Sequence, residues 1–313
     1  MDKTRFLLCS PKEIRAESIT AKRGQGDFSN APGLAINVLP GGKRAVSSGL
    51  DFHFRLWDLE EGTCIKSWNA NGPLFSIEVI LDGTIALLGA VQGIVCFNID
   101  NWNLCQQSTL WSHTLIHSIA YSESTGDLLG GSEDSTIHRW HFPSMEKSKR
   151  LIGHKINVTA VDIDLAGRFA ISGDLNGNLR LWEMRTLTCQ REWQGHDQKV
   201  SSVDMSSDGR LALTGSEDGG IILWDLQKEE EILKLQDRRV RDVILSKDGS
   251  WALFCSDDGV FHWDLTEKKL ICRYEGEDIK AISMSPDKST LAALVKSNHI
   301  LVWENQIIKN PYY

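Results

Sequence analysis

Seven aromatic residues recur along this chain at nearly constant spacing. Each closes a short alternating apolar run and is usually followed by an acidic or polar residue. The runs are HFRLWDL ending at Leu59, GIVCFNI at Ile99, TIHRWHF at Phe142, NLRLWEM at Met184, GIILWDL at Leu226, VFHWDL at Leu265 and HILVWEN at Asn305. The anchors are Trp57, Phe97, Trp140, Trp182, Trp224, Trp263 and Trp303, and the gaps between them run from 39 to 43 residues. A period near 40 means a repeat architecture, which overrides the two domains that 313 residues would otherwise suggest.

The fifth copy shows what one period builds. Val200-Ser-Ser-Val-Asp-Met reads as a strand, and Ser207-Asp-Gly-Arg as a turn. Leu211-Ala-Leu-Thr is a second strand, Glu217-Asp-Gly-Gly another turn, Ile221-Ile-Leu-Trp a third strand and Glu231-Ile-Leu-Lys-Leu a fourth. Gly supplies the positive φ that such turns need, and Asp bonds its own backbone. Four short antiparallel strands make one small sheet, which cannot bury both its faces alone. Packing copies around an axis solves this and protects the edges.

Composition narrows the partners. The formal charge is −8, so neither a nucleic-acid backbone nor an anionic membrane is the expected main partner. No apolar run approaches 18 residues, and the N-terminus lacks the apolar core of a signal peptide, so no membrane insertion and a cytoplasmic location are expected. The seven cysteines, at 9, 64, 96, 105, 189, 255 and 272, form no C-x-x-C and no metal-type cluster. They read as reduced thiols, with Cys64, Cys96, Cys255 and Cys272 as small core side chains. Walker-type, H-E-x-x-H and G-x-S-x-G motifs are absent from the sequence, and Gly24-Gln-Gly is too short for a phosphate loop. The expectation is no cofactor, no metal and no catalytic residue.

With seven anchors in register, the chain resembles the WD40-repeat β-propeller family over nearly its whole length. Gly153-His154 with Trp182, and Gly195-His196 with Trp224-Asp225, carry both family marks. The resemblance implies an all-β, seven-bladed propeller of four-stranded antiparallel blades, a single domain over residues 1–313. Only ten residues follow Trp303, so the N-terminal segment, residues 1–25, is expected to supply the outer strand of the last blade. Ser18-Ile-Thr-Ala-Lys is the first candidate for that strand and Phe6-Leu-Leu-Cys the second. Closure of this kind hides a templating edge.

The same resemblance makes His196, Thr214, Asp218 and Trp224 a structural polar chain rather than a catalytic set. Indole donates to hydroxyl, hydroxyl meets imidazole, and imidazole meets the turn carboxylate. Other repeats keep only parts. Repeat four has His154, Ser172 and Trp182 but Asn176 in the Asp position; repeat one has Ser47, Asp51 and Trp57; repeat three has Gly130 for the hydroxyl; repeats two, six and seven have Leu88, Phe254 and Leu294. On this reading repeat five alone is complete.

Propellers of this family bind partners mostly on one rim. Transferred by alignment, the rim positions include Leu34, Leu50, Pro73, Phe75, Val91, His117, Glu133, Lys199, Glu217, Arg239, Arg241, Asp257 and Lys280, with Pro32, Leu115, Asn157, Thr159, Leu175, Ser201, Asp278 and Ser297 completing the set. Blades one and two then present an apolar sector, which on a soluble surface marks a protein contact. Blade six presents Arg238-Arg239-Val-Arg241, set among Asp237, Asp242 and Asp257. Arg forks suit carboxylates and phosphates. The implied function is a non-catalytic scaffold or docking domain for a protein or peptide. The alternatives are recognition of a phosphorylated or acidic peptide by the blade-six arginines and, more remotely, a hydrolase-type enzyme using the central channel. The repeats are also similar to WD40 regions of large bacterial signalling proteins, which implies association with an effector module such as a kinase.

Overall fold

The computed structural model describes residues 7–9, 12–14, 33–144, 146–147, 149–295 and 300–304. They form seven sheets, each built on four antiparallel strands, arranged as a seven-bladed β-propeller, and no helix occurs among them. Among the described residues no helix is long and apolar enough to cross a membrane.

Blade five has the strands read from its sequence: Val200–Met205, Leu211–Ser216, Gly220–Asp225 and Glu230–Gln236, paired in that order. The alternation sorts the residues. Leu213, Ile221 and Leu223 face blade six, whereas Val203, Met205, Ala212, Ile222 and Trp224 face blade four. The turns need their glycines. Gly177 sits at φ +85°, where a Cβ would run into the His196 carbonyl, so the blade-four turn can close only around a residue without a side chain.

Seven apolar clusters hold the ring, one between each pair of neighbouring blades. The cluster that closes it joins Ile36, Val38, Ala45 and Trp57 of blade one to Ala292, Leu294, Ile300 and Val302 of blade seven. The anchors Trp57, Trp140, Trp182, Trp303 and Phe97 are almost fully buried in these seams.

Blades six and seven also receive strands from the N-terminus. Leu7–Cys9 lies parallel to Lys269–Tyr274, giving blade six a fifth strand. Lys12–Ile14 lies antiparallel to Ile300–Glu304 in the outer position of blade seven. Ser18-Ile-Thr-Ala-Lys falls outside the described residues.

Candidate functional site

Inner strands run along the central channel, which encloses about 600 Å³. At the end where these strands begin, each blade contributes one side chain to the channel wall. Leu34, Phe75 and His117 form an apolar and aromatic arc from blades one to three. Thr159 and Ser201 follow from blades four and five, and Arg241 and Lys280 from blades six and seven. Each of these positions belongs to a different blade, and the ring gathers them around one mouth.

The arc has internal order. Phe75 and His117 meet edge to face, with ring centroids 5.9 Å apart. Burial, together with the Lys199 ammonium, holds the His117 imidazole below its ordinary pKa. Its Nε2 is buried and has no hydrogen-bond partner among the described residues. A neutral imidazole against a phenyl ring makes this sector a place for apolar contact.

Leu50, Pro73, Val91, Glu133, Lys199, Glu217, Arg239 and Asp257 are not part of the channel wall. Leu50 and Pro73 are half-buried, while Val91 and Glu133 are exposed. Pro32 and Ser297 lie outside the described residues.

Blade six does not present bare cations. Arg239 is bound to Glu217, Arg238 lies 3.1 Å from Asp258, and Arg241 lies 3.6 Å from Asp257. Of the three acids set beside the arginines in sequence, only Asp257 takes up a guanidinium in this way. Asp237 accepts the Arg238 N–H at 2.6 Å, and Asp242 turns into the ring, accepting from Ser202 Oγ and Ile282 N. Burial opposes ionisation of Glu217, but Arg239, Lys199 and Arg241 outweigh it and bring its pKa below the usual value.

The polar chains differ from the sequence reading in blades five, four and seven. In blade five Trp224 Nε1 donates to Thr214 Oγ1 at 2.9 Å, and His196 Nε2 sits 2.8 Å from the same hydroxyl. The last link is loose: His196 Nδ1 is 3.4 Å from Asp218 Oδ2 and makes no hydrogen bond. Blade four holds the tighter chain. There Trp182 donates to Ser172 at 2.9 Å, His154 Nε2 lies 2.7 Å from Ser172, and His154 Nδ1 lies 3.0 Å from Asp174 Oδ2. Asp174, two residues before Asn176, supplies the carboxylate, so blade four is complete after all. In blade seven the residue at the hydroxyl register is Ala293, not Leu294. Leu291 pairs with Trp303 as Ala212 pairs with Trp224, and the hydroxyl stands two residues later.

Deeper in the channel lies a set of acids that motif reading missed. Three residues beyond Phe75, Thr159 and Ser201 stand Glu78, Asp162 and Asp204, roughly 10 Å down the strands. Asp162 Oδ2 accepts the Met205 N–H and Asp204 Oδ2 the Leu245 N–H, each at 2.7 Å, so both brace the next blade. Ser283 does the same for Val38 at 2.9 Å. Burial raises the pKa of all three acids, that of Glu78 to about 7, while Lys247 opposes the rise. Asp204, ahead of Asp162 and Glu78, raises the Lys247 pKa in return. Residues three apart lie on opposite faces of a regular strand, so alternation alone hides these acids; the register slips at Phe75, Thr159 and Ser201 bring both sets to the channel. Among the described residues no three His, Cys, Asp or Glu side chains are grouped so as to hold a metal ion.

Comparison with known proteins fits this geometry. The family model "WD domain, G-beta repeat" matches residues 145–183 and 187–225. Each match runs from the outer strand of one blade through three strands of the next, so a sequence repeat straddles two blades. The chain is a seven-bladed β-propeller with WD40 repeats matched over residues 145–183 and 187–225. Among curated proteins, this WD40 chain is similar to eukaryotic translation initiation factor 3 subunit I of Scheffersomyces stipitis, with 26% identity over 153 residues. That match covers 42% of this chain and 44% of the relative, less than half of its length. WD40 propellers are generally non-catalytic scaffolds that bind protein partners.

Proposed function

We propose that this WD40 propeller is a non-catalytic docking module that takes a protein or peptide segment at the channel mouth formed by Leu34, Phe75 and His117. The observation that carries the reading is the half-buried Phe75–His117 pair at the mouth of an open channel. An aromatic anchor beside a cavity is what an inserted apolar side chain requires. The similar protein is by its name a subunit of a larger factor, which agrees with a role exercised through contacts. A cytoplasmic location, and docking beside an effector such as a kinase, belong to the same proposal.

The test is capture from native lysate by wild type and by a Leu34→Ala, Phe75→Ala double variant, with melting curves recorded for both. Loss of captured partners at unchanged melting temperature supports the proposal. Unchanged capture overturns it. Recognition of a phosphorylated or acidic peptide is the second reading, favoured by Arg241 and Lys280 at the same mouth. Such a ligand would compete with Asp257 for Arg241. Capture abolished by phosphatase treatment of the lysate would favour it over the first.

A further inference from the structure

Two free thiols meet in blade two. Cys96 lies in the third strand, Gly93–Asn98, and is 1% exposed. Cys105 lies in the outer strand, Asn103–Trp111, and is half-buried. Their Sγ atoms are 2.8 Å apart. The other described thiols are placed differently. Cys64 and Cys189 each donate to a backbone carbonyl two residues on, and Cys255 and Cys272 are buried in the seam between blades six and seven.

The local backbone explains the approach. Asn98 pairs with Asn103 and Phe97 with Leu104; the ladder then slips and resumes only at Val95 with Thr109. Cys105 is the first residue of the slipped stretch, next to Leu104, and Cys96 is next to Phe97, the partner of Leu104. Directly opposed strand residues hold their Cβ atoms about 4.5–5.5 Å apart, whereas a disulfide wants about 3.5–4.5 Å. A slip in the ladder supplies the freedom to close that difference.

We propose that Cys96 and Cys105 are a reversible dithiol–disulfide modification site, formed by exchange with a small disulfide of the glutathione type. Cys105, the more accessible thiol, attacks as thiolate on one sulfur of the small disulfide. A Cys105 mixed disulfide forms and one small thiolate leaves. Cys96 then attacks the Cys105 sulfur and gives up its proton, and the second small thiolate departs and takes that proton. The proton that Cys105 releases on ionising is taken up by the first small thiolate, so the two cysteines together lose two protons and two electrons, and the small disulfide is reduced to two thiols. Burial, reinforced by the neighbouring Cys105 thiol, raises the Cys96 pKa, which leaves the first attack to Cys105; Cys96 reacts second by virtue of its 2.8 Å approach to the Cys105 sulfur.

The full chain is equilibrated with defined ratios of oxidised to reduced glutathione, quenched by alkylation, and read by intact mass and peptide mapping. Wild type is expected to lose two hydrogens, with the link mapped to Cys96 and Cys105 and reversed by dithiothreitol. Cys96→Ser is expected to accumulate one glutathione at Cys105 that does not resolve, and Cys105→Ser none at Cys96. The wild-type map decides alone if either variant fails to fold. A stable Cys105–glutathione adduct in wild type, two alkylated thiols at every ratio, or a link between other cysteines overturns the proposal.

Discussion

His262 in blade six offers a sharp test of how burial sets stability here. It stands one residue before Trp263, is 5% exposed, and packs against the edge of Trp251 with centroids 5.4 Å apart. Neither ring nitrogen has a hydrogen-bond partner among the described residues. Burial lowers its pKa from 6.5 to about 4, against the opposing pull of Asp264. Between these values the unfolded chain binds a proton that the folded chain refuses. Stability is therefore fully present above pH 6.5 and falls as the pH drops towards 4. At about 1.4 kcal/mol per unit, the loss is roughly 1.4 kcal/mol at pH 5.5 and roughly 2.6 kcal/mol at pH 4.5. Leucine occupies the same register in blades one, four and five, as Leu56, Leu181 and Leu223. His262→Leu should therefore fit, and should gain on wild type by those amounts as the pH falls. Urea denaturation of both proteins from pH 7.5 to 4.5 measures the difference, in which the other titrating groups cancel. A difference that stays flat across that range refutes the reasoning.

In blade four, Ser172→Ala removes the acceptor of Trp182 and the partner of His154, and should cost ~1–3 kcal/mol in urea denaturation. Ser47→Ala in blade one, where the hydroxyl accepts from Trp57, should cost less because no histidine shares it there. Glu78, with its pKa raised to about 7 mainly by burial, contributes stability below pH 4.5 that is lost as the pH rises through 7. Glu78→Gln should thus melt higher than wild type at pH 8, with the advantage shrinking by pH 5; a pH-independent offset would count against it. Deleting residues 1–24 removes the strand that pairs with Ile300–Val302 and should lower the melting temperature. An undiminished value would sink N-terminal closure of the ring.

Much of the blade interior was legible because its determinants are local. Alternation sorted Ile222 from Leu223 between two seams, and Gly209 and Gly219 marked turns that require positive φ. The failures came where a residue's role depends on geometry that spacing does not encode. Asp174 replaces the expected turn carboxylate because it ends the second strand of blade four close enough to His154. Leu294 gave way to Ala293 because a one-residue difference in spacing moves a side chain to the other face of a strand. The thiol pair is not legible in the sequence because Cys96 and Cys105 meet only through a slipped ladder.

By itself the sequence determined the count of repeats, the four-strand make-up of a blade and the places of its turns. These follow from periods of two and about forty residues that any segment carries within itself. The tertiary structure decided what meets at the axis. Leu34, Phe75, His117, Arg241 and Lys280 come from five blades, and Glu78, Asp162 and Asp204 from three. Their neighbours lie about 40 residues away or further, so each environment is set by the closed ring and the channel it encloses. The same closure determines which carboxylates are raised and which arginines find an acid, because burial and charge there are properties of the assembled blades.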